Sequence, residues 1–224
     1  MRKTIIAGAT LVVALTAAGH DLEATHSSAD VVLKWNQLLQ STLPQPGNPQ
    51  TPRFYSMTHI AMFDAINAIE REYDPYRVRL RDRGRGSPEA AAAQAAHDVL
   101  VGLNAPATAV YDAALERQLG TTPSEYERRG AAIGARVAKE VLAWRQNDGW
   151  IVTGLPPYVQ PPFPGLWQKT PGVVNAAFTH LQNAAPMALV SPTQYLPPPP
   201  PLITSEQYAT DLHEVRLLGK SDSA

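Results

Sequence analysis

Apolar positions recur at helical spacing along most of this chain. No useful stretch of residues 1–150 shows the strict alternation of a half-buried strand. Residues 29–43 place Val32, Trp35, Leu38 and Leu39 on one stripe and predict a first helix. A turn follows at Pro44, Pro46, Gly47 and Pro49, and Pro52 opens a second helix at the position where proline is tolerated. From Phe54 through Met57, Ile60, Met62, Phe63 and Ile66 to Ile69 this helix is apolar almost all round, the mark of a buried element. Yet it carries His59, Asp64 and Asn67, each costly to bury without a partner.

Ser87, Pro88 and Glu89 combine a cap, a first-turn proline and a first-turn acid, and so predict the start of a third helix. Its alanines between Ala90 and Ala96 are small enough for another helix backbone to approach closely. A fourth helix starts after Asn104–Pro106 and ends near Gly120. Thr122 with Glu125 reads as a capping box for a fifth helix with Pro123 first. Ile133, Val137 and Val141 continue its buried stripe. Gly130 and Gly134 fall inside that helix and read as close packing, not as a nucleotide loop. A last helix begins at 204–207, carries Tyr208, Leu212, Val215 and Leu218 on one face and stops at Gly219. The pattern predicts an all-α helix bundle of about six helices.

Between the fifth and last helices the character changes. Of the 21 prolines, 13 lie between Pro156 and Pro201. A connection this long is foreign to an ordinary compact domain. Its aromatic anchors, Trp150, Tyr158, Phe163, Trp167, Phe178 and Tyr195, argue for a segment that wraps a surface, because disordered linkers are poor in aromatics. That surface need not belong to this chain. The expected organisation is an export signal over 1–24 with cleavage near 19–24, a helical bundle over 29–150, the proline-rich wrapping segment over 151–203, and a truncated C-terminal helix over 204–224.

The export reading rests on Arg2 and Lys3 followed by an apolar stretch from Ile5 to Ala18 and small residues at Ala17, Ala18 and Gly19. The stretch is too short to span a bilayer comfortably, which favours a cleaved signal over an anchor, and no later segment is apolar enough to span. Without residues 1–19 the 19 basic residues fall to 17 against 20 acidic ones, a charge of −3. That offers nucleic acid no general attraction. Cysteine is absent, so disulfides contribute nothing to stability. The protein is expected to be exported, to a bacterial periplasm or the extracellular space.

Several separated segments, in order, carry a family resemblance: residues 57–69 (MTHIAMFDAINAI), 87–97 (SPEAAAAQAAH), 141–150 (VLAWRQNDGW), 164–168 (PGLWQ), 191–201 (SPTQYLPPPPP) and 214–219 (EVRLLG). Together they resemble the N-terminal half of bacterial vanadium-dependent haloperoxidase-like proteins, in the type 2 phosphatidic acid phosphatase superfamily. The resemblance covers residues 29–224. It implies an all-helical fold and, in the full-length family, a vanadate bonded to a histidine and held by a lysine, arginines and backbone donors. There it takes up peroxide and oxidises halide. The phosphatase relatives use the same cage for a phosphate ester, since both oxyanions need fixed positive donors.

The oxyanion-binding motifs of that family are a lysine followed by an arginine–proline pair, a serine–glycine–histidine segment, and an arginine with a histidine a few residues on. None occurs here. Arg145 lacks the proline, and Ser191 is not followed by Gly-His. No catalytic, cofactor-binding or metal residue is therefore assigned, and the chain itself is expected to bind no vanadate. The resemblance implies a catalytically silent scaffold whose partner is a separate C-terminal half. The alternatives are a stand-alone exported helical binding module and half of a superfamily acid phosphatase.

The remaining candidates are His59, Asp64 and Asn67, read either as buried ties between helices or as support for a site in the other half. Asp64 and Asn67 share a helix face; His59 and Asp64 do not. Glu23 and His26 match a Glu-x-x-His pattern once, whereas a di-metal bundle needs it twice. Gly-x-Ser-x-Gly and phosphate-loop patterns are absent. Arg77, Arg79, Arg81, Arg83 and Arg85 alternate, so an extended backbone would aim all five one way. They read as a solvated loop or as an anion-binding edge.

Overall fold

The computed structural model describes residues 28–44, 48, 50–81, 85–172 and 176–219. The expected export signal, Glu23, His26 and Arg83 lie outside these residues, as does most of the turn before Pro52. Six α-helices account for the regular structure, with no strand among the described residues: α1 (Ser28–Thr42), α2 (Thr51–Glu70), α3 (Pro88–Leu103), α4 (Thr108–Leu119), α5 (Glu125–Trp144) and α6 (Glu206–Leu218). The protein is an all-α helix bundle.

The bundle is built around α3, which packs chiefly against α5 and α2, with α4 and α1 completing its surroundings. Its alanines serve two faces. Ala92, Ala93 and Ala96 join Trp35, Leu39, Phe54 and Tyr111 in one core; Ala91 and Ala95 join Met57, Val137 and Val141 in a second. The methyl-sized side chains bring α5 close. A Cβ on Gly130 would overlap the Ser87 carbonyl oxygen, and one on Gly134 would overlap that of Ala91. This is the close packing expected of those glycines.

Caps set the boundaries. Ser87 accepts from Ala90 N–H at the start of α3. At α5 the structure corrects the expected box: the N-cap is Ser124, not Thr122. Its hydroxyl accepts from Glu127 N–H while the Glu127 carboxylate accepts from Ser124 N–H. Pro123 thus lies outside the helix, and Glu125 and Glu127 both fall in its first turn, favourable beside the positive helix end. The cap of α6 is likewise Ser205, one residue beyond Thr204. The C-terminus of α1 is tied across the bundle, where Tyr111 Oη donates to Thr42 Oγ1 at 2.9 Å and Asn104 Nδ2 to the Thr42 carbonyl at 2.9 Å.

The proline-rich segment leaves the bundle at Ile151 and returns at a 3₁₀ turn, Thr179–Asn183. Ala184 is buried there and Met187 packs on the second core. Most of its other described side chains face outward: Phe163 is 66% and Tyr195 76% exposed. The rings of Tyr158 and Trp167 meet each other edge to face, 5.7 Å apart. Helix α6 shows the same exposure, with Leu212, Val215 and Leu218 at 53%, 67% and 69%. No helix among the described residues is long and apolar enough to cross a membrane.

Candidate functional site

The three polar residues of α2 each find a partner, and the partners differ. His59 Nε2 meets Asn36 Oδ1 of α1 at 2.9 Å, and its ring stacks on Tyr55. Partial burial pushes the His59 pKa down, because the charged ring is poorly solvated there. Asp64 is fully buried and accepts backbone N–H groups from Tyr76, Arg77 and Val78 at 2.7, 2.8 and 2.7 Å. One carboxylate thereby fixes residues 76–78 of the loop that follows α2.

Asn67 holds the preceding turn. Its Nδ2 donates to the Tyr73 carbonyl at 2.8 Å and its Oδ1 accepts from Tyr73 N–H at 3.0 Å. Between them Arg71 takes a left-handed conformation, φ 57°, that usually falls to glycine at a helix end. The paired bonds to Asn67 offset that strain. His59 therefore joins α1 to α2, whereas Asp64 and Asn67 join α2 to its own loop. The structure does not gather the three into one site.

The loop they hold alternates as the arginine spacing implies. Arg77, Arg79 and Arg81 are exposed, while Val78 is buried and Leu80 packs on the second core. Arg79 pairs with exposed Asp74 at 3.1 Å. The Arg77 guanidinium lies over the Trp144 ring, 4.9 Å from its centroid, with Arg145 at 4.8 Å from the same ring.

A second polar cluster is invisible to sequence spacing. Arg53 of α2 and Arg145, which caps the end of α5, both direct Nε at Asp148 Oδ2, at 2.8 and 2.9 Å. All three side chains are nearly fully buried. Further guanidinium donors go to backbone: Arg53 Nη2 to the Arg145 carbonyl, and Arg145 Nη1 and Nη2 to the carbonyls of Pro186 and Ala185. Ala185 N–H returns a bond to the Asp148 carbonyl at 2.8 Å. The hub thus joins α2, the end of α5 and the returning proline-rich segment. The signal for it was an arginine on the first turn of an otherwise apolar helix.

His97 forms a third cluster. Its two ring nitrogens meet Asp98 and Asp112 carboxylate oxygens at 2.7 and 2.8 Å, bridging α3 to α4. The bond to Asp98 raises its pKa most, against opposition from burial and with help from Asp112.

The donor set does not suit a tetrahedral oxyanion. The two buried guanidiniums converge on a carboxylate and on carbonyl oxygens, so an anion there would face acceptors. His97 likewise lies between carboxylates. No group of three or more His, Asp or Glu among the described residues could hold a metal ion. What the three clusters do is hold helices and loops in register. No family model, no curated protein and no solved structure matches this chain.

Proposed function

We propose that this chain is the N-terminal scaffold portion of a vanadium-dependent haloperoxidase-like protein, exported to a bacterial periplasm or beyond, and silent by itself in peroxide-dependent halide oxidation. The parent activity would reside in a C-terminal half that supplies the oxyanion cage. The observation that carries the reading is the ordered set of resembling segments, from residues 57–69 to 214–219, without the three oxyanion motifs. Two features support it. The buried cations are already paired with Asp148 and backbone carbonyls. The proline-rich segment and α6 present apolar side chains outward, as a scaffold awaiting a second half would.

The purified chain, given vanadate, peroxide and bromide, should leave a halogen-accepting dye unchanged. It should also retain no vanadate or phosphate through equilibrium dialysis. Dye halogenation, or stoichiometric capture of either oxyanion, refutes the reading. A stand-alone binding module is the second reading, favoured by the completeness of the core around α3. A monomer that unfolds sharply and binds no hydrophobic dye would select it, because a scaffold half should display its unmatched apolar surface to such a dye.

A further inference from the structure

A concavity of about 590 Å³ lies beside α1 and belongs to none of the three polar clusters. Val31, Trp35 and Leu38 of α1, Ala90 of α3, and Ala114 and Leu119 of α4 give it apolar walls. Its size falls in the range of small-molecule sites, about 300–1,000 Å³. Trp35, only 2% exposed, is held by donating Nε1 to Gln118 Oε1 at 2.9 Å. The amide N–H groups of Gln118 are then left without a partner among the described residues.

Four charges line the same groove, and they are not equivalent. Glu89 accepts from Ser87 Oγ at 2.8 Å, and Glu127 accepts from Ser124 N–H and Oγ at 2.7 and 2.8 Å. Both carboxylates sit on the first turn of a helix, α3 or α5, where the helix end offsets their charge. Lys34 and Arg117 are exposed and pair with no carboxylate among the described residues. The groove therefore offers an apolar floor, amide donors and two uncommitted cations, against two acids already engaged.

We propose that this groove binds an amphipathic anion, an alkyl chain of about ten carbons ending in a carboxylate, with the chain on Trp35, Leu38 and Ala114 and the carboxylate at Lys34 and Arg117. The assay is calorimetric titration of the full chain with decanoate. One saturable site with a dissociation constant of about 0.1–1 mM is expected from the size of such a ligand. Decanol and decyltrimethylammonium should bind about tenfold more weakly, because they lack the charge that the cations recognise. Lys34→Glu with Arg117→Glu, both surface changes, should cost about tenfold in decanoate affinity with an unchanged far-UV spectrum. Ala114→Phe should abolish binding by filling the floor. Absence of saturable binding, equal affinity for decanol, preference for the cation, or binding unaltered in both variants would each overturn the proposal. The last result would place the ligand outside this groove.

Discussion

Removing one carboxylate should reveal how much the bundle depends on the Arg53–Asp148–Arg145 hub. Asp148 sits 2.8 Å from Arg53 Nε and 2.9 Å from Arg145 Nε, with side-chain exposures of 3%, 6% and 1% in that order. Asp148→Ala leaves two buried guanidiniums facing each other with no counter-charge. Breaking one buried pair costs about 3–5 kcal/mol, chiefly because the survivor is stranded. The mutual repulsion of two survivors adds to this, so about 3–5 kcal/mol is a lower bound. For a chain of this length the loss corresponds to a fall of about 6–20 °C in midpoint. Asp148→Asn preserves shape while removing charge, so an electrostatic hub predicts nearly the same loss. Urea unfolding at pH 7, followed by far-UV circular dichroism, measures both. Because Ala185 N–H bonds to the Asp148 carbonyl, its amide exchange should also accelerate in both variants. A loss below about 1 kcal/mol in both would show that the hub contributes no more than a surface pair, and would refute the reasoning.

Gly130→Ala and Gly134→Ala should each lower stability by about 1–3 kcal/mol, although alanine is the better helix former. The new methyl meets a backbone carbonyl that cannot yield; Gly102→Ala, which meets only the flexible Leu142 side chain, is the control in the same denaturation series. Thr58 is fully buried and its hydroxyl has no hydrogen-bond partner, so Thr58→Val should raise stability by about 1 kcal/mol; a loss would indicate a partner for that hydroxyl. The His97 pKa is raised in the folded state, so its stabilising effect is complete below the unfolded value of about 6.5 and disappears as pH rises through the folded value. The midpoint difference between wild type and His97→Gln should therefore shrink from pH 5.5 to pH 8.5, and a constant difference would remove the imidazolium bridge. His59, whose pKa is lowered, acts oppositely: it costs stability as pH falls below about 6.5, so His59→Gln should lessen the acid-side decline. Amides of α6 should exchange far faster than those of α3, since its apolar face is exposed; equal protection would mean a packing surface for α6 in solution.

The bundle was legible in the sequence because its signals are local. Proline at the first turn, serine caps and a period near 3.6 place α1 to α5 within a few residues. The small-residue face of α3 and the two glycines of α5 foretell each other's close approach. The cap of α5 was misplaced because two boxes overlap, Thr122 with Glu125 and Ser124 with Glu127, and both satisfy the same spacing. Reciprocal bonding of Ser124 and Glu127 decided between them. The polar residues of α2 were legible as residues needing partners, but the partners were not. Asp64 is satisfied by backbone N–H groups 12 to 14 positions on, which no side-chain pattern encodes. The hub is further from view, since Arg53 and Asp148 are 95 residues apart and meet only through tertiary packing.

Helix α6 separates what local signals can do from what packing must do. It has a serine cap, an acid in its first turn, an arginine in its last and a glycine at its end, so every terminal signal favours a helix. At 13 residues, however, such a helix is marginal in water unless an apolar face is buried. Its apolar residues Leu212, Val215 and Leu218 lie in the open. The proline-rich segment has the same imbalance, docking firmly at 184–187 and leaving Phe163, Tyr195 and Leu196 exposed. The bundle around α3, by contrast, buries its apolar residues in two cores and pairs its buried charges, with the carbonyls of Ala185 and Pro186 completing the hub. The chain therefore divides into a part whose core residues are buried and a part whose apolar residues are mostly exposed. A second polypeptide offering a matching surface would convert α6 from a marginal helix into a packed one, without any change to the hub that anchors the segment leading to it.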